Sequence, residues 1–400
     1  MMTGQRPIGV LMIVENLPVP FVRRAWQECC ALRDAGYRVS VISPKGPGCE
    51  ASYERIDDID VYRHRVFEAS GPLGYFFEYG WAMAAWLWLS LRAFTRRRFK
   101  ILHAWNPPDL IFLVAWIYRP FGVRFIFDHL DLSPELYLAK FNRQDFFYRL
   151  VSLAERLSFK TAAVSLATNR SYREIAVKRG AKSPDHVFIV RVSPVPEKMR
   201  RERTYPELKE SKPLLVVYLG VMGPQDGVDI LLEAIEYLLK TKGRTDTQFV
   251  LIGGGTEQPR LKRMAHEKGL DGGVKFTGRL PFEDVARYLS TADVGVAPDP
   301  LNDMNDRSTM GKILEYMCYE IPVVLFELTE GRRSADNSAL YAKPNDPVDF
   351  AEKINQLLDS ESLRRELGAR GRRRIEEVFN WEIDRAQLLR AYEVALSSRD

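Results

Sequence analysis

Lys312 and Glu315 stand three residues apart in the segment 294–325, whose residue types run strand, polar loop, helix, turn, strand. An ammonium and a carboxylate at that spacing share one face of a helix. The first N–H groups of a helix have no intrahelical partner and carry the positive end of its dipole. A cation beside such amides suits a diphosphate, and a carboxylate one turn on suits the two hydroxyls of a ribose. Ser308 or Thr309 reads as the N-cap, with the helix running from about Met310 to Tyr319. The amides of Ser308, Thr309 and Met310 are then the expected anion donors, with Lys312 adding a mobile ammonium. The plainer alternative is a surface helix with an internal Lys–Glu pair, and local pattern leaves both open.

Other candidates fall where predicted strands end. Arg23 and Arg24 follow the apolar run 8–14; they read as contacts to an anionic acceptor or as a solvated first helical turn. His129, Asp131 and Glu135 follow the strand 123–128. Asp131 and Glu135 could touch an acceptor, although Ser133, Pro134 and Glu135 equally suit a capped helix start. Gly220 and Gly223 fit a tight strand-to-helix turn after 214–220, and Arg279 and Leu280 close the strand-and-loop run 274–280. Asp299 and Asp303 have the wrong spacing for a D-x-D metal motif. Zinc spacing, a P-loop, a nucleophile elbow and an internal repeat are all absent from the sequence. Neither a metal nor a cofactor is expected.

The elements that must position these groups alternate β and α in both halves of the 400-residue chain. Ligands of open α/β sheets bind at the carboxyl ends of strands. The expected class is α/β, with two Rossmann-like doubly wound domains facing across a cleft. The predicted division is 1–195, a Pro- and charge-rich linker 196–213, a second domain 214–380, and a last helix 381–400 that returns to the first domain. Composition (46% apolar, 28% charged, net charge +5) describes a soluble globular chain and selects no anionic partner. Basic residues are scattered and lack interleaved aromatics, so no nucleic-acid partner is expected. Cys29, Cys30, Cys49 and Cys318 show no metal spacing and read as reduced cytoplasmic thiols. No secretory signal is read at the start of the chain.

Two apolar stretches stand out. Residues 74–94 hold Glu78, Gly80, Ser90 and Arg92, which argue against a bilayer span. A core helix is the first reading. Its three tryptophans and the following Arg92, Arg96, Arg97 and Arg98 leave membrane-interface contact as the second. Residues 137–160 mix Phe141, Phe146, Phe147 and Tyr148 with Lys140, Arg143 and Arg149, as an amphipathic helix facing lipid or core would.

The run Lys312, Glu315, Tyr316, Met317 followed by Pro322, Val323, Val324 resembles the donor-nucleotide segment of glycosyltransferase family 4, retaining enzymes of the GT-B fold. VPFVRRAWQE near the start and FDHLDLSPELYLAKF (127–141) are similar to its bacterial surface-polysaccharide branch. The resemblance implies that Glu315 binds the ribose and that His129 lies against the donor sugar. It also implies that the backbone at Arg279 and Leu280 holds the base edge. Gln225 and Asp226 stand where many relatives hold the diphosphate with an Arg and a Lys, which leaves Lys312 first in line and Arg279 second to supply the cation, with Gly220 as a donor contact at the turn. The donor would be a UDP-linked sugar and the acceptor a glycan or polyprenyl-linked glycan. The reaction would be metal-independent, in the cytoplasm, with the inner face of the membrane a further candidate surface. Val22, Leu130, Val192, Asp226 and Arg307 depart from the family pattern; Arg307 stands where a second glutamate touches the donor sugar. A UDP-sugar epimerase of the same fold and a non-catalytic partner of a polysaccharide complex are the rival readings.

Overall fold

The computed structural model describes residues 7–15, 17–65, 72–141 and 143–397; the side chains of 72–79, 139 and 140 lie outside the description. The readings placed on Glu78 and Lys140 therefore fall outside it. The chain divides into two compact units, Met1–Val192 with Glu382–Asp400, and Ser193–Trp381. The stretch 196–213, read from composition as a linker, packs on the second unit instead. Met199 is buried in that unit's core, Arg201 donates to the Ala292 carbonyl, and Lys209 pairs with Asp293 at 2.7 Å.

The first unit is built on an eight-stranded sheet. Its strands are β1 (Gly9–Ile13), β2 (Arg38–Pro44), β3 (Tyr53–Ile56), β4 (Ile59–His64), β5 (Ile101–Trp105), β6 (Arg124–His129), β7 (Val164–Ala167) and β8 (Val187–Ile189), in the order β3-β4-β2-β1-β5-β6-β7-β8. All neighbours are parallel except the β3–β4 hairpin, which charged Tyr53–Ile56 hid from a hydropathy reading. β1 and β5 are apolar and fully buried, as strands covered by helices on both faces must be. The helix Trp381–Ser397 belongs to this unit. It buries Leu388, Ala391, Tyr392 and Ala395, and Tyr392 meets Tyr37 edge-on.

The second unit carries six parallel strands: β9 (Leu214–Leu219), β10 (Thr247–Ile252), β11 (Val274–Gly278), β12 (Val294–Ala297), β13 (Val323–Phe326) and β14 (Ala339–Ala342). Their order is β11-β10-β9-β12-β13-β14. Chain order reverses between β9 and β12, which makes their carboxyl ends the switch point of the sheet. Tyr316 locks that junction. Its fully buried hydroxyl accepts from the Leu219 N–H at 2.8 Å on β9 and donates toward the Val296 carbonyl at 3.2 Å on β12. Gly295 permits this, since a Cβ there would lie 2.6 Å from the Tyr316 ring.

Candidate functional site

The helix Gly311–Cys318 begins below the switch point. Its capping residue is Met310, which makes no side-chain cap. This corrects the expected N-cap, and the polar loop read before it is itself partly helical. Asn302 caps a separate short helix, Asp303–Arg307, through the amides of Met304 and Asn305. Ser308 closes that helix: its N–H bonds the Asn305 carbonyl and its hydroxyl donates to the Met304 carbonyl at 2.7 Å. Polar residues at 302–308 fold on themselves because Asn302 offers its carbonyl to two orphan amides. The Ser308 amide is thus already used, and the start of the longer helix lies at Gly311 and Lys312, not at 308–310.

Ile313, Leu314, Tyr316, Met317 and Cys318 are buried; Glu315 is half-buried, and the Lys312 side chain is 9% exposed. Lys312 is not a mobile ammonium. Its Nζ donates to Asp299 Oδ1 at 2.7 Å and lies 4.9 Å from the centre of the Tyr218 ring. Asp299 is 3% exposed, and its Oδ2 has no partner. Gly220 sits directly beside this lysine, an added Cβ being 3.3 Å from Lys312 Cε. The turn 220–227 closes tightly on the end of β12: Gly227 has φ +66°, and a Cβ there would stand 2.1 Å from the Pro298 carbonyl. Asn305 ties the turn down by donating to the Gln225 carbonyl at 2.9 Å. Asp226 accepts from the Gly223 N–H at 2.8 Å; burial raises its carboxyl above the ordinary range, against the pull of Gly223 and Lys312. Arg279 is exposed and Leu280 half-buried after β11, where the Gly253 N–H bonds the Gly278 carbonyl. Thr309, Met310 and Arg307 are half-buried around the same helix start.

The candidates in the first unit are placed otherwise. Arg24 is neither solvated nor presented to a ligand; it is 3% exposed, with Nη2 2.6 Å from Asp128 and Nε 2.9 Å from Glu28. His103 joins through Asp128 at 3.3 Å and shares a 2.8 Å hydrogen bond with the Tyr392 hydroxyl. Burial pushes the Asp128 carboxyl up, and Arg24 and His103 more than reverse this, leaving it below the ordinary value. Glu28, His103 and Asp128 are close enough together to hold a metal ion. The Arg24 guanidinium already supplies the positive charge between the two carboxylates, so the set reads as an ion network. Arg23 is half-buried on the outer side of the same turn.

His129 is fully buried, not on an open edge. Its ring packs against Phe127, Phe159 and Tyr172, and Nε2 donates to Glu155 at 3.1 Å. Arg179 bridges Glu155 at 2.6 Å and Glu135 at 2.6 Å, so Glu135 is a buried ion-pair partner. Burial raises the Glu155 carboxyl, but His129 and Arg179 bring it below its ordinary value. Asn106 donates to the Asp131 carbonyl and to Asp109, and accepts from the amides of Leu130 and Asp131. Asp131 itself is half-buried. Asp109 is buried, and burial lifts its carboxyl to about 6. The structure therefore gathers His129, Glu135 and Asp131 near one sheet edge, and it groups Lys312, Gly220 and the start of the Glu315 helix at the other.

Sequence reasoning missed Asp299, Tyr316, Glu155, Arg179 and Glu28. Glu28 carried a signal, since it stands four residues after Arg24 and predicts a pair. Asp299 also carried one, as the first carboxylate after a buried strand. Arg179 reaches its partners over 24 and 44 residues of chain and left no local trace.

Residues 22–191 match a family described as a glycosyl transferase 4-like domain, and residues 213–360 match the glycosyl transferases group 1 family. One relative is a GDP-mannose-dependent monoacylated alpha-(1-6)-phosphatidylinositol monomannoside mannosyltransferase of Corynebacterium glutamicum. It is 27% identical over 206 residues, covering 50% of this chain and 52% of that protein. The chain spans about half the length of the curated relatives it matches. Among solved structures, sucrose-phosphate synthase from Thermosynechococcus elongatus superposes with a TM-score of 0.78 at 18% identity, over 96% of this chain and 98% of that one. The Anabaena protein HepE, in complex with UDP and glucose, gives 0.71 at 11% identity over 96% and 99%. Two parallel-sheet units, two family matches that together run through both of them, and likeness to these folds agree: the chain belongs to glycosyltransferase family 4 and has the GT-B fold.

Proposed function

We propose that the protein moves a sugar from a nucleoside diphosphate sugar, UDP-linked, to a glycan or lipid-linked acceptor with retention at the anomeric carbon, in surface polysaccharide or glycolipid synthesis. The observation that carries this reading is Lys312, held by Asp299 on the first turn of the helix Gly311–Cys318 at the β9/β12 switch point. The amides of Gly311 and Lys312 and the ammonium would receive the diphosphate. Glu315, one turn on, would take the ribose hydroxyls, and Arg279 and Leu280 the base edge.

In the transfer step the bond between the anomeric carbon and the diphosphate oxygen breaks. An acceptor hydroxyl oxygen bonds that carbon on the same face and gives its proton to the leaving diphosphate. Negative charge grows on the leaving oxygen as the old bond lengthens. Lys312 and the helix-start amides stabilise it in place, as electrostatic catalysis requires. Asp299 positions the ammonium. The first unit would take the acceptor, with Asp131 and Arg23 the best-placed of the nominated contacts. In this reading His129, Glu135 and Arg24 hold the acceptor edge in shape and do not touch the reacting atoms. A relative that uses GDP-mannose and a neighbour that binds UDP support the donor class and leave the base as the point to test.

The test is calorimetric titration with UDP-glucose, UDP-N-acetylglucosamine and GDP-mannose, followed by incubation of the binder with lipid extract. Saturable binding of one donor and a labelled sugar in the lipid fraction are expected. A new free sugar isomer without acceptor would instead indicate an epimerase, and binding without any transfer a non-catalytic partner.

A further inference from the structure

Three helices that pack side by side on one face of the first sheet are half core and half exposed apolar surface. They are Pro72–Arg96, Phe112–Tyr118 and Phe146–Thr161. The first is not simply a core helix. Trp86, Leu89 and Phe94 are buried, whereas Trp88 is 66% exposed and Trp81 and Leu91 are exposed on the opposite stripe. The second buries Val114 and Ala115 and exposes Leu113, Trp116 and Ile117. The expected helix over 137–160 is in fact two, Ser133–Phe141 and Phe146–Thr161. The latter buries Ala154, Ser158 and Phe159 and exposes Phe146 (71%), Phe147, Leu150 and Leu153. The Trp116 indole donates to the Thr161 hydroxyl at 3.0 Å, which ties the end of the third helix to the second.

Isolated exposed apolar residues are ordinary, but neighbouring helices that each expose several large ones mark a contact surface. Charge says what it contacts. Arg149, Arg156 and Lys160 are exposed on the third helix, Arg92 on the first and Arg119 just after the second. Among the described residues of the three helices the acidic side chain is Glu155, which is fully buried and already paired. No helix of the described residues is long and apolar enough to cross a membrane. Tryptophan and phenylalanine rings beside unopposed arginines suit the boundary between headgroups and acyl chains.

We propose that this face docks the chain on the surface of an anionic phospholipid bilayer, rings at headgroup depth and arginines on lipid phosphates. The surface belongs to the first unit and the donor site to the second, so either assignment can fail while the other holds.

The test is cosedimentation of the full chain with vesicles of phosphatidylcholine alone and of phosphatidylcholine mixed with phosphatidylglycerol. Binding to the mixed vesicles, weakened by salt, is expected. The pair R149Q/R156Q should lower the partition coefficient roughly thirtyfold, about fivefold per cation. The pair F146S/L150S should lower it by at least as much. Both pairs change exposed residues and should keep the wild-type melting temperature and any nucleotide-sugar binding. Absence of sedimentation with either vesicle overturns the proposal, as does equal binding to both. A dimer in analytical ultracentrifugation that F146S/L150S dissociates also overturns it, because the face would then be covered by a second copy of this chain.

Discussion

The carboxyl edges of the two sheets use charge in opposite ways. In the first unit Arg24, Glu28, His103, Asp128, His129 and Glu155 are all buried and pair with one another in charge, although Arg24 Nη1, Glu28 Oε2, Asp128 Oδ1, His129 Nδ1 and Glu155 Oε2 make no hydrogen bond among the described residues. In the second, the edge is glycine turns and helix-start amides around the Lys312–Asp299 pair, whose side chains are 9% and 3% exposed. The difference teaches that a charged residue at a strand end is not thereby a ligand contact. Where the protein supplies every counter-charge, the residue is architecture. Where it leaves helix-start amides beside a lysine, there is capacity for an anionic ligand.

The contrast breaks most visibly at Arg24. Arg24→Met leaves Glu28 and Asp128 buried without their cation, and should cost about 3–5 kcal/mol. Thermal unfolding of the first unit checks this; a loss below about 1 kcal/mol would mean the network is solvated and open to a ligand.

Asp109 sharpens it through pH. Its folded value near 6 exceeds the ordinary 3.8, with burial the main cause. Below 3.8 both folded and unfolded chains hold the proton. Between there and about 6 only the folded chain does, so this residue's contribution to stability falls as pH rises through that window. Asp109→Asn should therefore be more stable than wild type at pH 8, by up to about 3 kcal/mol, and equal to it near pH 3.5. Denaturation midpoints at the two pH values decide, and an identical difference at both would refute the assignment.

A smaller effect is expected at the second edge. Tyr316→Phe strands the buried Leu219 N–H and should cost about 1–3 kcal/mol. Because the β9/β12 junction carries Lys312, the same variant should also weaken nucleotide binding. Unchanged binding would show that the junction does not position the site. Smallest of all in stability is Glu315→Ala, which should leave the melting temperature within about 1 °C of wild type while lowering affinity for a nucleoside diphosphate.

Much of the frame was legible in advance. Runs such as GVLMI and LLVVYL read as covered strands, and Lys312 and Glu315 do lie on one helix, Gly311–Cys318. What sequence could not give was partnership. Arg24 meets Asp128 across 104 residues and Lys312 meets Asp299 across 13, so a cation that looked available in the chain was already occupied in the fold. The helix start was misplaced for a local reason: Ser308 serves the C-terminal end of one short helix, and hydroxyl residues fit either role. The helix Pro72–Arg96 read as core because composition averages over both faces, and only the fold shows Trp86 turned in and Trp88 turned out.

The central claim is that the ammonium of Lys312 receives a donor diphosphate. Lys312→Ala alone would leave Asp299 buried and unpaired, confounding binding with stability. The direct measurement is calorimetric titration of the donor into wild type and into the double variant D299N/K312M, which removes both charges. The account predicts a melting temperature close to wild type and a loss of affinity of roughly a hundredfold, about 2–3 kcal/mol for a charge-assisted contact. Wild-type affinity in the double variant would contradict it.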